Sequence, residues 1–281
     1  MNFIQSILMG IVQGLSEFLP ISSSAHLVFT SNFYKVFKGI PVEVIQSNEE
    51  IFLDIMLHLG TLVAVLIFFR KEVFEICKAL WNAAKNRSLE DSNAKLGLYI
   101  IFGTIVTIIL ALPLNEVAEH LVYHPALVGF LLIFTGGVLF FSEYLSGKKK
   151  EAGSLDLKKS ILIGLAQGLA VLPGFSRSGW TIATGLFSGL NRETAARYSF
   201  LLSIPIILGA SMVYPLIKID VAEAISYNWG AIIAGTFVSA VVGYLCIKYF
   251  MKFISKFSLN IFAWYCVLMG VCTTVFFSVY K

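Results

Sequence analysis

The sequence predicts an all-α polytopic membrane protein with an inverted-topology repeat, in which each half is a re-entrant helix–break–helix hairpin followed by three transmembrane helices. Three observations lead to this prediction. The composition is strongly apolar, one ten-residue motif occurs twice, and the basic residues are concentrated in a few of the segments between apolar runs.

The composition favours a chain that lies in lipid. Of the 281 residues, 57% are hydrophobic and only 14% are charged, whereas soluble domains carry about 25% charged residues. Apolar runs such as 96–114, 230–249 and 261–279 are each about long enough to cross a hydrocarbon core of roughly 30 Å as a helix. The formal net charge of +4 says little about partners, and a nucleic-acid partner is not expected.

The repeated motif divides the chain into two halves. SILMGIVQGL spans 6–15, SILIGLAQGL spans 160–169, and seven of the ten positions are identical. Both copies run on to Leu-Pro and a group of serines. Chance similarity between two apolar helices is the alternative, but the Gln, Gly and Pro positions match as well as Leu and Ile do. We therefore predict a first repeat over 1–146 and a second over 160–281, which together form a single membrane domain.

Each half begins with a broken apolar element and continues with three unbroken ones. Proline removes a backbone donor and clashes with the preceding turn, so the pieces on either side of each Leu-Pro are too short to span. They predict hairpins that enter and leave the membrane on one side, ending near Asn32 and near Leu190. The predicted spans that follow are 51–69, 96–114 and 125–145 in the first half and 199–217, 230–250 and 261–280 in the second.

Lysine and arginine predict the orientation. They cluster in the segments 70–95, 147–159 and 248–256, while 115–124 has none. The positive-inside rule places the basic segments in the cytoplasm. The second hairpin then starts and ends on the cytoplasmic side and the first on the outer side, so the halves are inverted relative to each other. Broken backbone at membrane depth is tolerated only where it is buried in protein or lines a wet cavity.

The first polar group, QGLSEFLPISSSAHL, combines a carboxylate, serines and a histidine within apolar sequence. Ionisable residues inside a membrane are costly and indicate function. Gln13 lies one helical turn before Glu17, so the pair could offer two oxygen ligands to a hard cation. A protonated, hydrogen-bonded Glu17 is the structural alternative. His26 is interpreted as functional rather than as a satisfied polar residue, and one of the serines is expected to cap the following helix.

The second polar group, PGFSRSGWT, places Arg177 among hydroxyls where a new helix starts. Free N–H groups at a helix start form an anion site, and the guanidinium fork fits phosphate oxygens with two parallel hydrogen bonds. Ser176, Ser178 and Thr181 would add hydroxyl donors. A buried ion pair between Arg177 and Glu17 is the structural alternative, and it is compatible with a phosphate site. Facing each other, the two groups would form such a site beside an acid or base.

Two more polar residues lie in the next predicted span. Asp54 and His58 are four residues apart and therefore share one helix face. They would extend the polar lining of the cavity, or equally support it from behind.

The motifs together resemble those of the undecaprenyl-diphosphatase family, also known as the bacitracin-resistance type. The resemblance covers nearly the whole chain and rests on QGLSEFLPISSSAHL at 13–27, LHLGTLVAVLIFFR at 57–70, LPGFSRSGWTIATGL at 172–186 and ARYSFLLSIP at 196–205. It implies a phosphatase of the bacterial inner (cytoplasmic) membrane that converts undecaprenyl diphosphate into the monophosphate carrier lipid for peptidoglycan. It also implies a need for magnesium or calcium, a site reached from the periplasmic side, and a homodimer.

Carried over by position, the resemblance implies roles for the residues of both polar groups. Gln13 and Glu17 would hold the metal, and catalysis would fall to His26 as nucleophile or base together with Glu17 and Arg177. The phosphate-binding set is Ser23, Ser176, Arg177, Ser178 and Thr181. Many members have Glu where this chain has Gln13, which leaves open how many carboxylates hold the metal.

Two other functions stay open at this point. A transporter or flippase for the polyprenyl phosphate lipid would use the same inverted repeats and broken helices. A non-enzymatic phospholipid-binding scaffold is a weaker alternative. Because fold does not settle function, release of phosphate from a lipid diphosphate is the discriminating observation.

Overall fold

The computed structural model describes residues 3–39, 47–146, 153–218 and 224–279, so part of the predicted repeat boundary, 147–152, lies outside the described residues. Within the described ranges the chain forms eleven helices. In chain order they are α1 Phe3–Ser16, α2 Ser23–Phe37, α3 Asn48–Phe68, α4 Arg70–Asn86, α5 Ser92–Leu121, α6 Pro125–Ser146, α7 Leu157–Leu169, α8 Arg177–Phe187, α9 Arg192–Lys218, α10 Trp229–Ile254 and α11 Asn260–Val279.

Six helices are long and apolar enough to cross a membrane, namely α3, α5, α6, α9, α10 and α11. Their outward faces carry large apolar side chains such as Leu112, Phe237 and Leu268, each more than half exposed. Surfaces of this kind suit lipid, whereas in water they would promote association. The expectation of an all-helical polytopic membrane protein is confirmed.

Short helix pairs occupy the positions where the sequence predicts broken elements. A gap that contains Leu-Pro separates α1 from α2 and α7 from α8. The second helix of each pair begins at a serine cap. Ser22 Oγ accepts from the Ala25 amide, and Ser176 Oγ accepts from the Gly179 amide. These caps pair backbone donors that a helix start leaves free.

Two helices run beyond their predicted ends. α2 continues to Phe37 rather than ending near Asn32. The helix accommodates Asn32 because the side-chain amide donates to the Val28 carbonyl at 2.8 Å. α5 extends through Pro113 to Leu121, well past the predicted span.

The basic segment 70–95 was expected to be a loop, and that expectation is wrong for most of it. Residues Arg70–Asn86 form the amphipathic helix α4, whose Ile76 and Ala79 are buried. Gly97 of α5 permits close packing, because a Cβ at this position would lie 2.7 Å from Leu80. The lysines interrupted the apolar run in the sequence but leave one helix face apolar.

Each copy of the repeated motif packs on a helix of the other half. Ser6 in α1 donates to the Ala231 carbonyl in α10, and Ser160 in α7 donates to the Tyr99 carbonyl in α5, both at 2.6 Å. Ser6 and Ser160 are the first residues of the two motif copies. Matched positions therefore make matched contacts across the halves.

Glycines allow these helices to approach closely. Gly10 in α1 lies against Gly235 in α10, and the matched Gly164 in α7 lies against Gly103 in α5. Small residues of this kind let helix backbones pack tightly in membranes. The first motif copy is thus fixed to the second half and the second copy to the first half.

The last helices of the two halves also pack against each other. In α6 and α11, Gly129 lies against Gly270 and Gly136 against Ala263. From the first contact to the second, the residue number increases in α6 and decreases in α11, so the two helices are antiparallel.

Candidate active site

A cavity of about 600 Å³ lies where the two short helix pairs approach each other. Residues of both halves line it, with polar and apolar side chains mixed. They are Glu17, Ser22, Ser23, Ser24, Asn48, Ile51, Asp54, Ile55, His58, Glu119, Val122, Tyr123, Ala170, Val171, Phe175, Arg177, Ile206, Ile207, Ala210 and Ser211. A cavity of this size accommodates a small polar group together with an apolar segment.

The two predicted polar groups meet at an ion pair in this cavity. Glu17, only 6% exposed, accepts at Oε1 from Arg177 Nη2 at 2.6 Å. The other terminal nitrogen of the guanidinium, Nη1, donates to the Ser199 carbonyl at 3.4 Å. A buried carboxylate is stable in a low-dielectric setting only when it is paired and hydrogen-bonded. The sequence predicted this ion pair as the structural alternative to phosphate binding by Arg177. Arg177 forms the pair and also lines the cavity.

Two further donors reach the second oxygen of Glu17. Gln13 Nε2 donates to Oε2 at 2.9 Å, and Ser23 Oγ donates to the same oxygen at 2.6 Å. Ser22, directly before Ser23, has a φ of 68°, in the left-handed region that non-glycine residues rarely occupy. Strained backbone of this kind concentrates at functional sites, and here it lies at the turn that presents the Ser23 hydroxyl to the cavity.

His26 contacts Ser22 and Tyr265, and it is not among the described residues that line the cavity. Its Nδ1 is 2.7 Å from the Ser22 carbonyl oxygen, and its Nε2 is 2.7 Å from the Tyr265 hydroxyl. The imidazole also stacks on the Tyr265 ring. His26 therefore joins the Ser22 turn to α11.

The hydroxyls of the second polar group are buried, and among its described residues Phe175 and Arg177 line the cavity. Ser176 caps α8, and Ser178 Oγ donates to the Leu19 carbonyl at 2.8 Å. Thr181 Oγ1 lies 2.6 Å from Ser199 Oγ. These contacts fix α8 against the Leu-Pro turn of the first half and against α9, and so they hold Arg177 in place.

The next span contributes a histidine to the cavity. His58 Nε2 lies 3.7 Å from Glu17 Oε2, and its Nδ1 is 2.7 Å from the Asp54 carbonyl oxygen. Both residues line the cavity. Their four-residue spacing identified the shared face, but the sequence did not predict that His58, rather than His26, would face Glu17.

Some site residues carry no clear signal in the sequence. Tyr265 and Ser199 lie inside apolar runs and are recognised only through their contacts with His26 and Thr181. Glu119 lies in a segment interpreted as a loop, yet it belongs to α5 and lines the cavity.

The residues predicted to hold a cation offer two kinds of oxygen. Gln13 Oε1 is buried without a hydrogen-bond partner in the structure, and the same amide contacts the Glu17 carboxylate. The described residues contain no group of three His, Cys, Asp or Glu side chains suited to a metal. Magnesium, however, commonly binds through one or two protein oxygens together with substrate phosphates. Glu17 therefore fits a cation that shares its ligands with a phosphate, whereas Gln13 is fully buried and is not among the described residues that line the cavity, so its role as a ligand stays a prediction.

Comparison with known proteins identifies the family. Residues 6–272 match the family described as bacitracin resistance protein BacA. An undecaprenyl-diphosphatase of Methanobrevibacter smithii is 40% identical over 96% of both chains, and one of Methanosphaera stadtmanae is 38% identical over 98% of both. One of Halothermothrix orenii is 36% identical over 100% of both chains. With matches of this length and the polar motifs brought together at one cavity, the chain belongs to the bacitracin resistance protein BacA family.

Proposed function

We propose that the chain removes the terminal phosphate of undecaprenyl diphosphate and leaves undecaprenyl phosphate, the carrier lipid for cell-wall glycans, and thereby confers bacitracin resistance. The observation that carries the proposal is the Glu17–Arg177 pair, which joins the two halves at the wall of a cavity with both polar and apolar lining. The names of the relatives point to the same substrate.

Arg177 is proposed to bind the terminal phosphate. The planar guanidinium of Arg177 can exchange its hydrogen bond to Glu17 for hydrogen bonds to phosphate oxygens, and the guanidinium stays positively charged as it does so. Stabilising the charge that moves onto the bridging oxygen lowers the barrier to phosphoryl transfer. The buried contacts of Ser176, Ser178 and Thr181 support a role in holding Arg177 rather than in touching the phosphate directly.

The geometry favours Ser23 over His26 as the attacking group. Ser23 lines the cavity and donates to Glu17 at 2.6 Å, and a carboxylate in hydrogen-bond contact can accept the proton of a nucleophilic hydroxyl. Ser23 Oγ would attack the terminal phosphorus, its proton would pass to Glu17, and the bridging oxygen would leave with the lipid monophosphate. Water would then release phosphate from Ser23. His26 would act by holding the Ser22 turn.

A divalent cation, magnesium or calcium, is proposed to bind at Gln13 and Glu17 and to supply positive charge to the diphosphate. The charges of the cavity support this. Glu17, Asp54 and Glu119 line it together with Arg177, so a bound diphosphate would add negative charge to a site that is already rich in acids. Opposite charge close to a phosphate group offsets that repulsion.

We propose the inverted repeat, with 1–146 and 160–281 as its halves in a single membrane domain, as the architecture. The matched contacts of the two motif copies and the antiparallel α6 and α11 support it. The α7–α8 pair is proposed to be re-entrant, since the Gly153 amide before α7 donates to the Gly189 carbonyl after α8 at 2.9 Å. In a variant that lacks the native cysteines, two of which are exposed, impermeant thiol labelling should reach Ser188→Cys only from the cytoplasmic side and Ser23→Cys best from the other. Labelling of both from one face would refute the inversion.

We place the chain in the bacterial inner membrane with its cavity open toward the periplasm. α3 starts, and α5 and α9 end, at the cavity side, where Asn48, Glu119 and Ser211 line it. The basic helix α4 lies at the opposite ends of α3 and α5, and the positive-inside rule makes that end cytoplasmic. A homodimer stays a prediction, which the mass of the detergent-solubilised protein by light scattering would test.

Phosphate release by the purified protein tests the proposed function. With undecaprenyl diphosphate and magnesium, it should release inorganic phosphate and form the lipid monophosphate. A chelator should stop the reaction and added magnesium should restore it. A carrier would bind or move the lipid monophosphate without releasing phosphate. If folded protein releases no phosphate in the presence of magnesium, the proposed function is contradicted.

A further inference from the structure

Helix α4 is not explained by the repeat or by the cavity. It has 17 residues between α3 and α5, whereas α9 ends at Lys218 and α10 begins at Trp229, which leaves no room for a helix of that length in the second half. The residues of α4 are not among those that line the cavity. α4 is therefore an addition to the first half that serves another purpose.

One face of α4 is covered and the opposite face is open. Ile76 and Ala79 are buried, with Ile76 against Gly97 of α5. The open face carries Lys71, Phe74, Lys78, Trp81 and Lys85, all exposed. Residues three and four apart share a face of a helix, so these five form one stripe, which we call the basic–aromatic stripe.

The two aromatic side chains of the basic–aromatic stripe are largely exposed. Phe74 is 69% exposed and Trp81 is 74% exposed. Tryptophan and other aromatic rings are favoured at the headgroup level of a bilayer, and amphipathic helices that carry lysine beside apolar rings lie in that plane. α4 connects the end of one span with the start of another, which places it at a membrane face.

The charges of α4 favour an anionic partner. Three of the five stripe residues are lysines. Of the two acids of α4, Glu72 accepts from Arg197 Nε of α9 at 2.7 Å. Glu75 is exposed beside Lys71 and Lys78, and four exposed cations, Arg70, Lys71, Lys78 and Lys85, outnumber it on the helix. A small cavity of about 240 Å³ opens at the start of the helix and is lined by Phe68, Phe69, Arg70, Lys71 and Glu72. Arg70 therefore lies beside Lys71 as a second positive charge at this end of α4.

From these observations we propose that the basic–aromatic stripe of α4 binds the headgroups of anionic phospholipids in the leaflet that contacts it. Phe74 and Trp81 would insert between the headgroups while the lysines contact lipid phosphates. Juxtamembrane lysines gain affinity from anionic lipid in this way, by a factor of roughly five per residue, and salt weakens the gain. This proposal does not depend on the chemistry of the cavity.

Quenching of Trp81 by brominated lipid tests the proposal. The full-length protein is reconstituted in phosphatidylcholine vesicles that contain an equal fraction of either brominated phosphatidylglycerol or brominated phosphatidylcholine. Subtracting the signal of Trp81→Phe isolates Trp81 from the other tryptophans. We expect Trp81 to be quenched several-fold more by the brominated anionic lipid, and 1 M salt to reduce this preference.

Matched variants separate the stripe from general charge. Lys78→Gln with Lys85→Gln should lose most of the preference. Lys158→Gln with Lys252→Gln removes the same charge from exposed positions outside α4 and should keep it. Equal quenching of the unmodified protein by both lipids, or equal losses in the two double variants, would overturn the proposal. The lipid preference of the unmodified protein and its salt response decide the question even if a variant fails to fold.

Discussion

Replacing His26 by alanine separates the sequence interpretation from the structural one. As an obligate base or nucleophile, His26 would be indispensable, and its loss would lower turnover by about 10²-fold or more. In the structure its two nitrogens contact the Ser22 carbonyl oxygen and the Tyr265 hydroxyl. We therefore expect His26→Ala to act on the turn that presents Ser23, not on the chemical step itself.

The magnitude follows from the lost contacts. A hydrogen bond contributes about 0.5–1.5 kcal/mol to stability, so losing both should lower the free energy of unfolding by about 1–3 kcal/mol. Tyr265→Phe removes one of the same two contacts and should cause about half that loss. Both variants should retain more than about a tenth of wild-type turnover, because the proposed nucleophile, Ser23, and its carboxylate partner, Glu17, stay in place.

Phosphate release from undecaprenyl diphosphate, measured with thermal unfolding in detergent, gives both quantities. Ser23→Ala should lose at least about 10²-fold in turnover and, through its lost hydrogen bond to the buried Glu17 carboxylate, about 1.5–3 kcal/mol in the free energy of unfolding. Ser24→Ala, which alters a neighbouring hydroxyl at the same cavity, should lose far less turnover. Turnover of His26→Ala at or below a hundredth of wild type, in protein that is as stable as wild type, would refute the positioning role. It would indicate that His26 takes part in the chemical step.

Three other substitutions, two of them with a control variant, probe the phosphate site, the metal and the packing. Arg177→Lys should lower kcat/KM by about 10–100-fold because lysine lacks the planar fork, whereas Arg192→Lys, in an ion pair with Glu143, should change unfolding rather than kcat/KM. Gln13→Glu should reach half-maximal rate at lower magnesium, since ligand charge raises affinity; an unchanged titration curve would speak against metal binding there. Gly164→Ala should lower the free energy of unfolding by about 1–3 kcal/mol, since its Cβ would lie 2.6 Å from a backbone oxygen, whereas Gly137→Ala meets nothing within 4 Å and should be nearly neutral.

The broken helices and the long spans could be predicted from the sequence because local chemistry decides them. Leu-Pro followed by serines gives a break and a cap in both halves, as Ser22 and Ser176 show. Helix α4 was missed because its lysines mask the apolar period when hydropathy alone is considered. Its burial depends on Ile76 and Ala79 meeting α5, which is a tertiary contact.

The pairing of Glu17 with Arg177 could be anticipated as one of two alternatives, but the positions of His26 and His58 relative to Glu17 could not. Ser23 and His26 lie three positions apart on α2 and so share one broad face of the helix, and the sequence does not tell which of the two side chains reaches Glu17. In the structure Ser23 reaches Glu17, and His26 contacts Tyr265. In the structure the hydroxyls of the second polar group cap α8 or contact other parts of the chain, and phosphate binding by them stays a prediction.

The central claim is that Glu17 from one half and Arg177 from the other form a single catalytic site. A double-mutant cycle with Glu17→Gln and Arg177→Lys, measured as kcat/KM for phosphate release from undecaprenyl diphosphate, tests it most directly. Groups that act as one unit are not additive, so we expect the double variant to be no more than about threefold worse than the more impaired single variant. If the two losses instead multiply, the residues act independently and the proposed shared site is contradicted.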